Sequence, residues 1–554
     1  MLFARLSTLY QTGPRLVNVL RAVWIVAIVW FELGTFVYHV SQCRWPVPHA
    51  GSESQHLRVP TRVLLIADPQ VLDHRSYPGR APWLMSLSQR MVDLNLRKSW
   101  WAALHLKPDV IMFLGDMMDG GRFDMDDAEY EEYYARFQSI FSLENDTPVY
   151  YMPGNHDVGI GGVTAGFSQK AHERYTTHFG PLSQRLDIAN HTVVMIDAPG
   201  LVEEDHERSI SGLSYPRWAS THPGGPIAFI HESAAAKVVA PLSDQSHTSR
   251  PAGQREDVPI ILLTHIPLAR PANAYCGPLR ERGTIRQGTG YGYENTLSVQ
   301  ASQLVLESLR PAVVFSGDDH DYCEVRHPLA ASDDVPLSED GAVKEVSVKS
   351  FSMAMGIRRP GFQLLSLVPP SSMPAGSQTF ADVPCLLPDQ LGIYISVYVP
   401  LILLSVLALL LGNAYRISLS HATRTSAGIP LRTRSPTDAE RPNLWGGSLP
   451  PLPAALRVYN EYDEEVEDDD MAYILPPPTP AVAVTQKGRR GRTWFSRFRS
   501  MRRRLVYMAS CRRSPDSALR RSRAGFLRGF LGDVLDVAWV PVGLFGAIAW
   551  WMFL

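Results

Sequence analysis

The sequence is poor in cysteine, in charge and in any imbalance of charge. Five cysteines in 554 residues cannot build a disulfide scaffold. Charged residues are 19% of the chain, below the roughly 25% usual for soluble domains, so part of the apolar material is expected in lipid. The 53 Lys+Arg and 55 Asp+Glu nearly cancel, leaving −2. That removes the basic excess of a nucleic-acid binder, and no nucleic-acid partner is expected. No internal repeat is visible. Hydrophobic residues, at 45%, are as frequent as in globular proteins, which rules out global disorder. The length gives a prior of three or four domain-sized units.

Two or three stretches suit a bilayer. Residues 391–411 (LGIYISVYVPLILLSVLALLL) are 21 uncharged, mostly apolar positions, close to the ~20 needed to span. Residues 23–40 are weaker because Glu32 interrupts them. Arg5, Arg15 and Arg21 precede that stretch and no small-residue cleavage site follows, the pattern of an uncleaved anchor. Residues 536–554 make a third possible span, with a re-entrant or surface helix as the other reading. Orientation follows the arginines. Between Lys487 and Arg528 stand 15 Lys/Arg and one acid, Asp516. That block and the N-terminal tail, 1–22, are expected in the cytosol, which sets 41–390 in the lumen. Asn145 and Asn190 begin sequons that fit glycosylation there, Pro148 making the first a poorer acceptor. Residues 412–535 read as a disordered cytosolic tail. It holds an acidic run at 461–470, a PPP tract at 476–478 and the arginine block, which suits anionic headgroups.

Between the first two spans one pattern recurs: a short apolar run, as in strands buried on both faces, that ends on polar residues. Val63-Leu-Leu-Ile-Ala leads to Asp68-Pro-Gln70, and Val110-Ile-Met-Phe-Leu-Gly to Asp116-Met-Met-Asp119. Val149-Tyr-Tyr-Met-Pro-Gly leads to Asn155-His156-Asp157, Ile260-Ile-Leu-Leu-Thr to His265, and Ala312-Val-Val-Phe-Ser-Gly to Asp318-Asp319-His320. Ligands of open α/β sheets gather at the carboxyl ends of such strands. Helical patterns alternate with them, at 84–104, 127–141 and 298–309. Residues 343–367 alternate and turn at Arg359-Pro-Gly361, as in a hairpin of a second sheet. The predicted class is therefore α/β, one domain over 58–370 with two facing sheets and flanking helices, and a surface insertion at 234–257. One Asp after a strand is usually a cap or turn residue. Five blocks in sequence are hard to explain that way. Oxygen and imidazole donors without thiolate suit Mn, Fe, Zn or Mg, and one carboxylate between two ligand sets can bridge two ions, as in two-metal phosphoester displacement.

The order D-x-(H), GDxxD, GNHD, H, GHxH resembles that of calcineurin-like metallophosphoesterases and covers about 300 residues. IADPQ, SYPGRAPWLM, YCGPLRERG, GTGYGYENTLS and SGDDHDYCE look like the fungal branch of endoplasmic-reticulum GPI-anchor remodelling phosphodiesterases. The resemblance implies a two-sheet metallophosphoesterase sandwich anchored by two or three transmembrane helices in that membrane. It implies removal of an ethanolamine-phosphate group from a mannose of the GPI glycan, the second mannose favoured, in support of GPI-protein export. GPI-anchored proteins or GPI lipid would be substrates, and cargo receptors of early secretory transport possible partners. Carried over by position, Asp68, Asp116 and His320 would hold one ion, and Asp116, Asn155 and His265 the other. His156 would act on the leaving oxygen and Asp157 orient it. Gln70 and Asp318 stand where the superfamily usually has His; both offer oxygen, which shifts the site toward Mn²⁺ or Mg²⁺, Mn²⁺ foremost.

Two other readings stay open: a phosphatase or pyrophosphatase for another lumenal substrate, and a non-catalytic membrane adaptor for GPI-protein cargo. Retention of His156 speaks against the adaptor, and the changes at Gln70 and Asp318 speak for it. Cys43, Cys276, Cys323 and Cys385 fall in the lumenal region, where an oxidising milieu favours pairing. Cys276–Cys323 is the first expected disulfide and Cys43–Cys385 the second, against buried free thiols.

Overall fold

The computed structural model describes residues 13–48, 59–161, 165–238, 258–329, 341–374, 377–426 and 526–554. Thirteen strands run through the described residues: β1 Thr61–Ile66, β2 Val110–Phe113, β3 Val149–Tyr151, β4 Gln184–Ile188, β5 His191–Ile196, β6 Ile260–Thr264, β7 Thr289–Gly290, β8 Tyr293–Glu294, β9 Val313–Ser316, β10 Cys323–Pro328, β11 Ala342–Ser347, β12 Gly361–Leu367 and β13 Phe380–Leu386. They form a five-stranded sheet, β13-β12-β1-β2-β3, and a six-stranded sheet, β10-β11-β9-β6-β5-β4, with β7-β8 as a small ribbon. β1, β2 and β3 are parallel, as are β5, β6, β9 and β11; antiparallel strands close the edges.

The apolar runs are continuous because both faces of each sheet are covered. Alternate residues Val63, Leu65, Val110 and Met112 of the first sheet meet Met195, Leu263, Val313 and Phe315 of the second in a core between the sheets. The intervening Leu64, Ile66, Ile111 and Phe113 face outward against helices Pro82–Leu104 and Asp127–Ile140. Ile196, Leu262 and Val314 do the same on the other side, against Ala198–Ser211, Pro226–Val238 and Val299–Leu309. Period-two alternation thus serves two cores at once.

The expected hairpin over 343–367 is not formed. β11 pairs with β10 and β9 in one sheet, while β12 pairs with β1 and β13 in the other. The alternation was a strand signal; it carries no information about the partner. Between them the chain crosses from sheet to sheet, and the isolated bridge Ala67–Ser350 marks the crossing beside the end of β1.

Among the described residues three helices are long and apolar enough to cross a membrane: Pro14–Gln42, Gln390–Leu419 and Phe526–Phe553. Each is longer than its sequence expectation. The first and second contain π-helical turns, Trp30–Gly34 and Tyr394–Tyr398. The chain divides into two compact units, Met1–Gly412 with Leu531–Leu554, and Asn413–Phe530. In the second, the described ends are helix up to Ser426 and from Phe526, so both described ends of the stretch read as a disordered tail are helical. The acidic run, the PPP tract and most of the arginine block lie outside the described residues, as does most of the insertion after Val238. The structure joins Cys43 to Cys385 and Cys276 to Cys323.

Candidate metal centre

The parallel strands of both sheets end at one place. Asp68 and Gln70 follow β1, Asp116 follows β2, and Asn155, His156 and Asp157 open the short helix Asn155–Val158 after β3. His265 follows β6, and Asp318 and His320 follow β9. Five of these side chains hang on left-handed backbone: Asp68 at φ 48°, Gln70 at 39°, Asp116 at 57°, Asp318 at 63° and His320 at 67°. Such a conformation costs a non-glycine residue on the order of 1–3 kcal/mol and persists where surrounding structure enforces it, often at functional sites. The glycines of the GD and GN pairs have a steric reason. A Cβ on Gly115 would stand 2.3 Å from His265 Nδ1, and one on Gly154 2.1 Å from Asp116 Oδ1.

Ligand atoms of Asp68, Asp116 and His265, all buried, lie within 4.8 Å of one another. His265 Nδ1 donates to the Leu114 carbonyl at 2.7 Å, which fixes the ring and turns Nε2 inward. Around that nitrogen stand Asn155 Oδ1 at 3.1 Å, Asp116 Oδ1 at 3.3 Å and Asp318 Oδ1 at 3.6 Å. Asn155 is aimed by its other end, since its amide nitrogen donates to the Gly292 carbonyl at 3.0 Å. Asp68 Oδ1 accepts from the Asp318 amide at 3.0 Å, and its Oδ2 is buried without a partner. A buried carboxylate oxygen left empty is costly unless something absent from the protein meets it. The donors are hard oxygens and imidazole, so the residues present fit divalent cations.

The electrostatics agree. Burial pushes Asp68 well above the usual carboxylate range, Asp116 and Asp318 add to the rise, and His265 only partly offsets it. Burial, with the negative charge of Asp116, raises Asp318 to about 7. Burial also works against Asp116, yet His265 and His156 hold it below the ordinary range. His320 is pushed down to about 4 by burial, which favours the neutral imidazole a metal needs. Gln70 presents its amide nitrogen, donating to Asp116 Oδ2 at 2.7 Å and lying 3.3 Å from His320 Nε2. Its oxygen reaches a cation only after the amide turns over.

His156 differs from its neighbours. Its side chain is 25% exposed, whereas those of Asp68 and His265 are sealed. Burial lowers its pKa, but Asp116 and the Asp119 carboxylate more than offset this and bring it to about 9. Nδ1 lies 2.7 Å from the Asp119 carbonyl and 3.2 Å from Asp119 Oδ1. Asp119 therefore holds the ring, and the orienting role expected of Asp157 needs correcting. The Asp157 carboxylate accepts from the amides of Gly154, Asp116, Met117 and Met118, tying the second block to the third. It is the only nearby carboxylate placed under those four donors, whereas Asp119 sits three residues past Asp116 beside the ring.

Sequence reasoning missed three contributors. Asp119 was visible as the last residue of GDxxD. Arg122 donates to the carbonyls of Asn155 at 3.2 Å and Gly292 at 2.9 Å, and nothing in its spacing announced that. Gly292 supplies the carbonyl that aims Asn155; its φ is +71°, and a Cβ there would meet Phe167 at 2.4 Å. The GTGYGYENTLS segment matters at that glycine. The YCGPLRERG segment is fastened to the last block by the Cys276–Cys323 disulfide, by Arg280 on Asp319 and by the Glu281 and Arg282 amides on Asp321. Asn145 and Asn190 are both exposed, the latter in the turn between β4 and β5.

The calcineurin-like phosphoesterase family model matches residues 61–322. Cell division control protein 1 of Saccharomyces cerevisiae is 32% identical over 389 residues, covering 68% of this chain and 70% of its own. Metallophosphoesterase 1 of Gallus gallus is 26% identical over 366 residues, covering 64% of this chain and 82% of its own. The mouse protein of that name is 27% identical over 374 residues, with 64% and 79% covered. Among solved structures, a dimetal phosphatase from Danio rerio aligns at 12% identity with a TM-score of 0.31, over 59% of this chain and 99% of its own.

Proposed function

The chain belongs to the calcineurin-like phosphoesterase family, metal-dependent phosphoester hydrolases, and from that premise we propose a membrane-anchored, two-metal phosphodiesterase acting on a GPI glycan. The observation that carries the reaction is the convergence of Asp68, Asp116, Asn155 and Asp318 on His265, with one buried Asp68 oxygen left without a hydrogen-bond partner. Asp68, Asp116, Asp318, His320 and, after its amide turns, Gln70 would hold one divalent ion, and Asp116, Asn155 and His265 the other, Mn²⁺ being favoured by the oxygen-rich set. When bound, the ions supply positive charge that draws electron density from the phosphoryl group and acidify water.

The chain's own part is to orient and to move a proton. Asp119 fixes the His156 ring through Nδ1, so Nε2 is available to protonate the departing alkoxide oxygen. A pKa near 9 keeps that proton on the ring at neutral pH. Asp157 and Arg122 keep the backbones of the second and third blocks in register, so the ligands do not have to be gathered by the ion.

The substrate reading rests on the likeness of the quoted motifs to the fungal GPI-remodelling enzymes. It assigns the reaction to loss of an ethanolamine-phosphate group from a mannose, the second favoured, in the lumen of the endoplasmic reticulum. The three apolar helices support that orientation. Their ends nearest the sheets are at Gln42, Gln390 and the C-terminal turn of Phe526–Phe553. Three crossings in that order agree with the charge rule's assignment of the sheets to the lumen. Glycan analysis of GPI anchors from cells lacking the protein should show a mannose that keeps its ethanolamine phosphate. Unchanged glycans would sink the substrate and leave another phosphoester as the target.

A further inference from the structure

Helix Pro82–Leu104 presents one face to the apolar helices. Near its C-terminus Lys98 Nζ pairs with Glu32 Oε2 at 2.6 Å, both side chains fully buried. Glu32 Oε1 accepts from Tyr398 at 2.7 Å and from Gln390 at 3.3 Å. Arg97 donates to the Met552 carbonyl at 3.3 Å and lies 4.8 Å over the Phe553 ring, and Trp101 meets Trp551 edge to face at 5.8 Å. One turn of this helix thus touches the first and third candidate spans, and Glu32 links it to the second.

At 3.6 residues per turn, Trp83, Leu87, Arg90 and Leu94 share that face with Arg97, Lys98 and Trp101. Trp83 precedes Trp101 by five turns, about 27 Å along the axis. There the face loses its protein partners. Trp83 is 70% exposed, Leu87 48% and neighbouring Leu84 37%. Arg80 and Arg90 are exposed beside them, and no acidic residue occurs between Arg75 and Asp93. Tryptophan and leucine flanked by cations is the composition of a membrane interface. Exposed Trp551, at the end of the third apolar helix, has the same character.

We propose that this face continues from the spans onto the bilayer, so that Trp83, Leu84 and Leu87 lie among lipid headgroups and Arg80 and Arg90 meet lipid phosphates. Continuity selects the occupant: a surface fixed at one end to membrane-crossing helices is met by the membrane before a soluble partner. The position serves the metal centre as well. Thirteen residues separate Gln70 from Trp83. Gln89 donates to the Leu72 carbonyl at 3.3 Å, holding the helix against the loop that leaves the first ligand block. A phosphoester carried on a lipid-linked glycan would approach from this rim.

The test uses the full chain in lipid nanodiscs and needs no turnover. Trp83→Cys in a Cys511→Ser background carries an environment-sensitive fluorophore, and Ser220→Cys, exposed on the outer side of the six-stranded sheet, gives the aqueous reference. Lipids spin-labelled near the headgroup should quench the label at 83 by at least about twofold more than at 220, with blue-shifted emission. Leu87→Cys provides a second site if the first variant does not fold. Water-like emission and equal quenching at both positions would overturn the proposal while leaving the reading of the reaction untouched.

Discussion

At the metal centre three carboxylates, Asp68, Asp116 and Asp318, converge on one buried space; at the membrane junction a single carboxylate, Glu32, meets a single ammonium, Lys98. The junction is sealed from water and the strand-end cluster opens to it only at Asp318, and the two balance charge differently. Glu32 has its counter-charge and two further donors within the protein, so the junction is complete as built. The strand-end cluster has more negative charge than His265 can match, and one oxygen of Asp68 has no partner. Burial is tolerated at the junction by closure and at the strand ends by a donor set that fits cations. The lesson is that a buried charge cluster reveals its purpose by what it lacks.

The comparison predicts a graded set of failures. The largest is Asp116→Ala. It removes the group shared by both ligand sets, and turnover should fall by on the order of 10⁴-fold or more, since each ion supplies several kcal/mol of charge stabilisation. Metal analysis should show both sites depleted; retention of two ions would break the bridging assignment. Next comes His156→Ala, expected to cost ~10²–10⁴-fold in turnover with metal content intact. The histidine also makes a pH prediction. Its folded pKa of about 9 lies above the unfolded 6.5, so its stabilising contribution is full below 6.5 and is lost as pH rises through 9. The alkaline fall of kcat/KM should follow the same proton, and Asp119→Asn should move that fall to lower pH. An unmoved profile would detach Asp119 from the ring.

On the closed side, Lys98→Met leaves Glu32 buried without its ammonium and should destabilise the protein by ~3–5 kcal/mol, read by thermal unfolding in detergent. Glu32→Gln combined with Lys98→Met should recover much of that loss, with metal content unaffected. Chelation should do the reverse, leaving the junction intact and lowering stability by ~2.7 kcal/mol relative to a hundredfold excess of metal over Kd. If chelation leaves the melting temperature unchanged, the strand-end cluster is not a cation site. The smallest effect is expected of Gln70→Ala, because its nitrogen already faces Asp116 and its oxygen needs a turn to help; turnover should drop by less than about tenfold.

Much of this was legible in the order of residues. Strands buried on both faces leave uninterrupted apolar runs, and polar residues directly after such runs stand out, which is why all five ligand blocks could be marked before any fold was known. Pairing was less legible. The stretch from β11 to β12 alternates as a hairpin should, but the switch at Ser350 between two sheets has no local signature. Roles inside a block were hidden too. Asp157 adjoins His156 in sequence and Asp119 is 37 residues away, and only the geometry shows that the distant one takes the ring and the adjacent one four backbone amides. Glu32 read as a blemish in an apolar span. Its partner, Lys98, is 66 residues away on a helix that the pattern showed only as amphipathic.

The disulfide between Cys43 and Cys385 spans 342 residues, joining the exit of the first apolar helix to the strand that leads into the second. Covalently, the two sheets and their helices are therefore a closed ring hung from two membrane stems. A single proteolytic nick in that ring frees nothing: each fragment keeps its own stem, and the disulfide keeps the two fragments tied to each other. Shedding the hydrolase from the membrane surface by proteolysis alone would take two cuts, one near each stem. The ring makes retention on the membrane a property of the chain's connectivity rather than of the strength of any one contact.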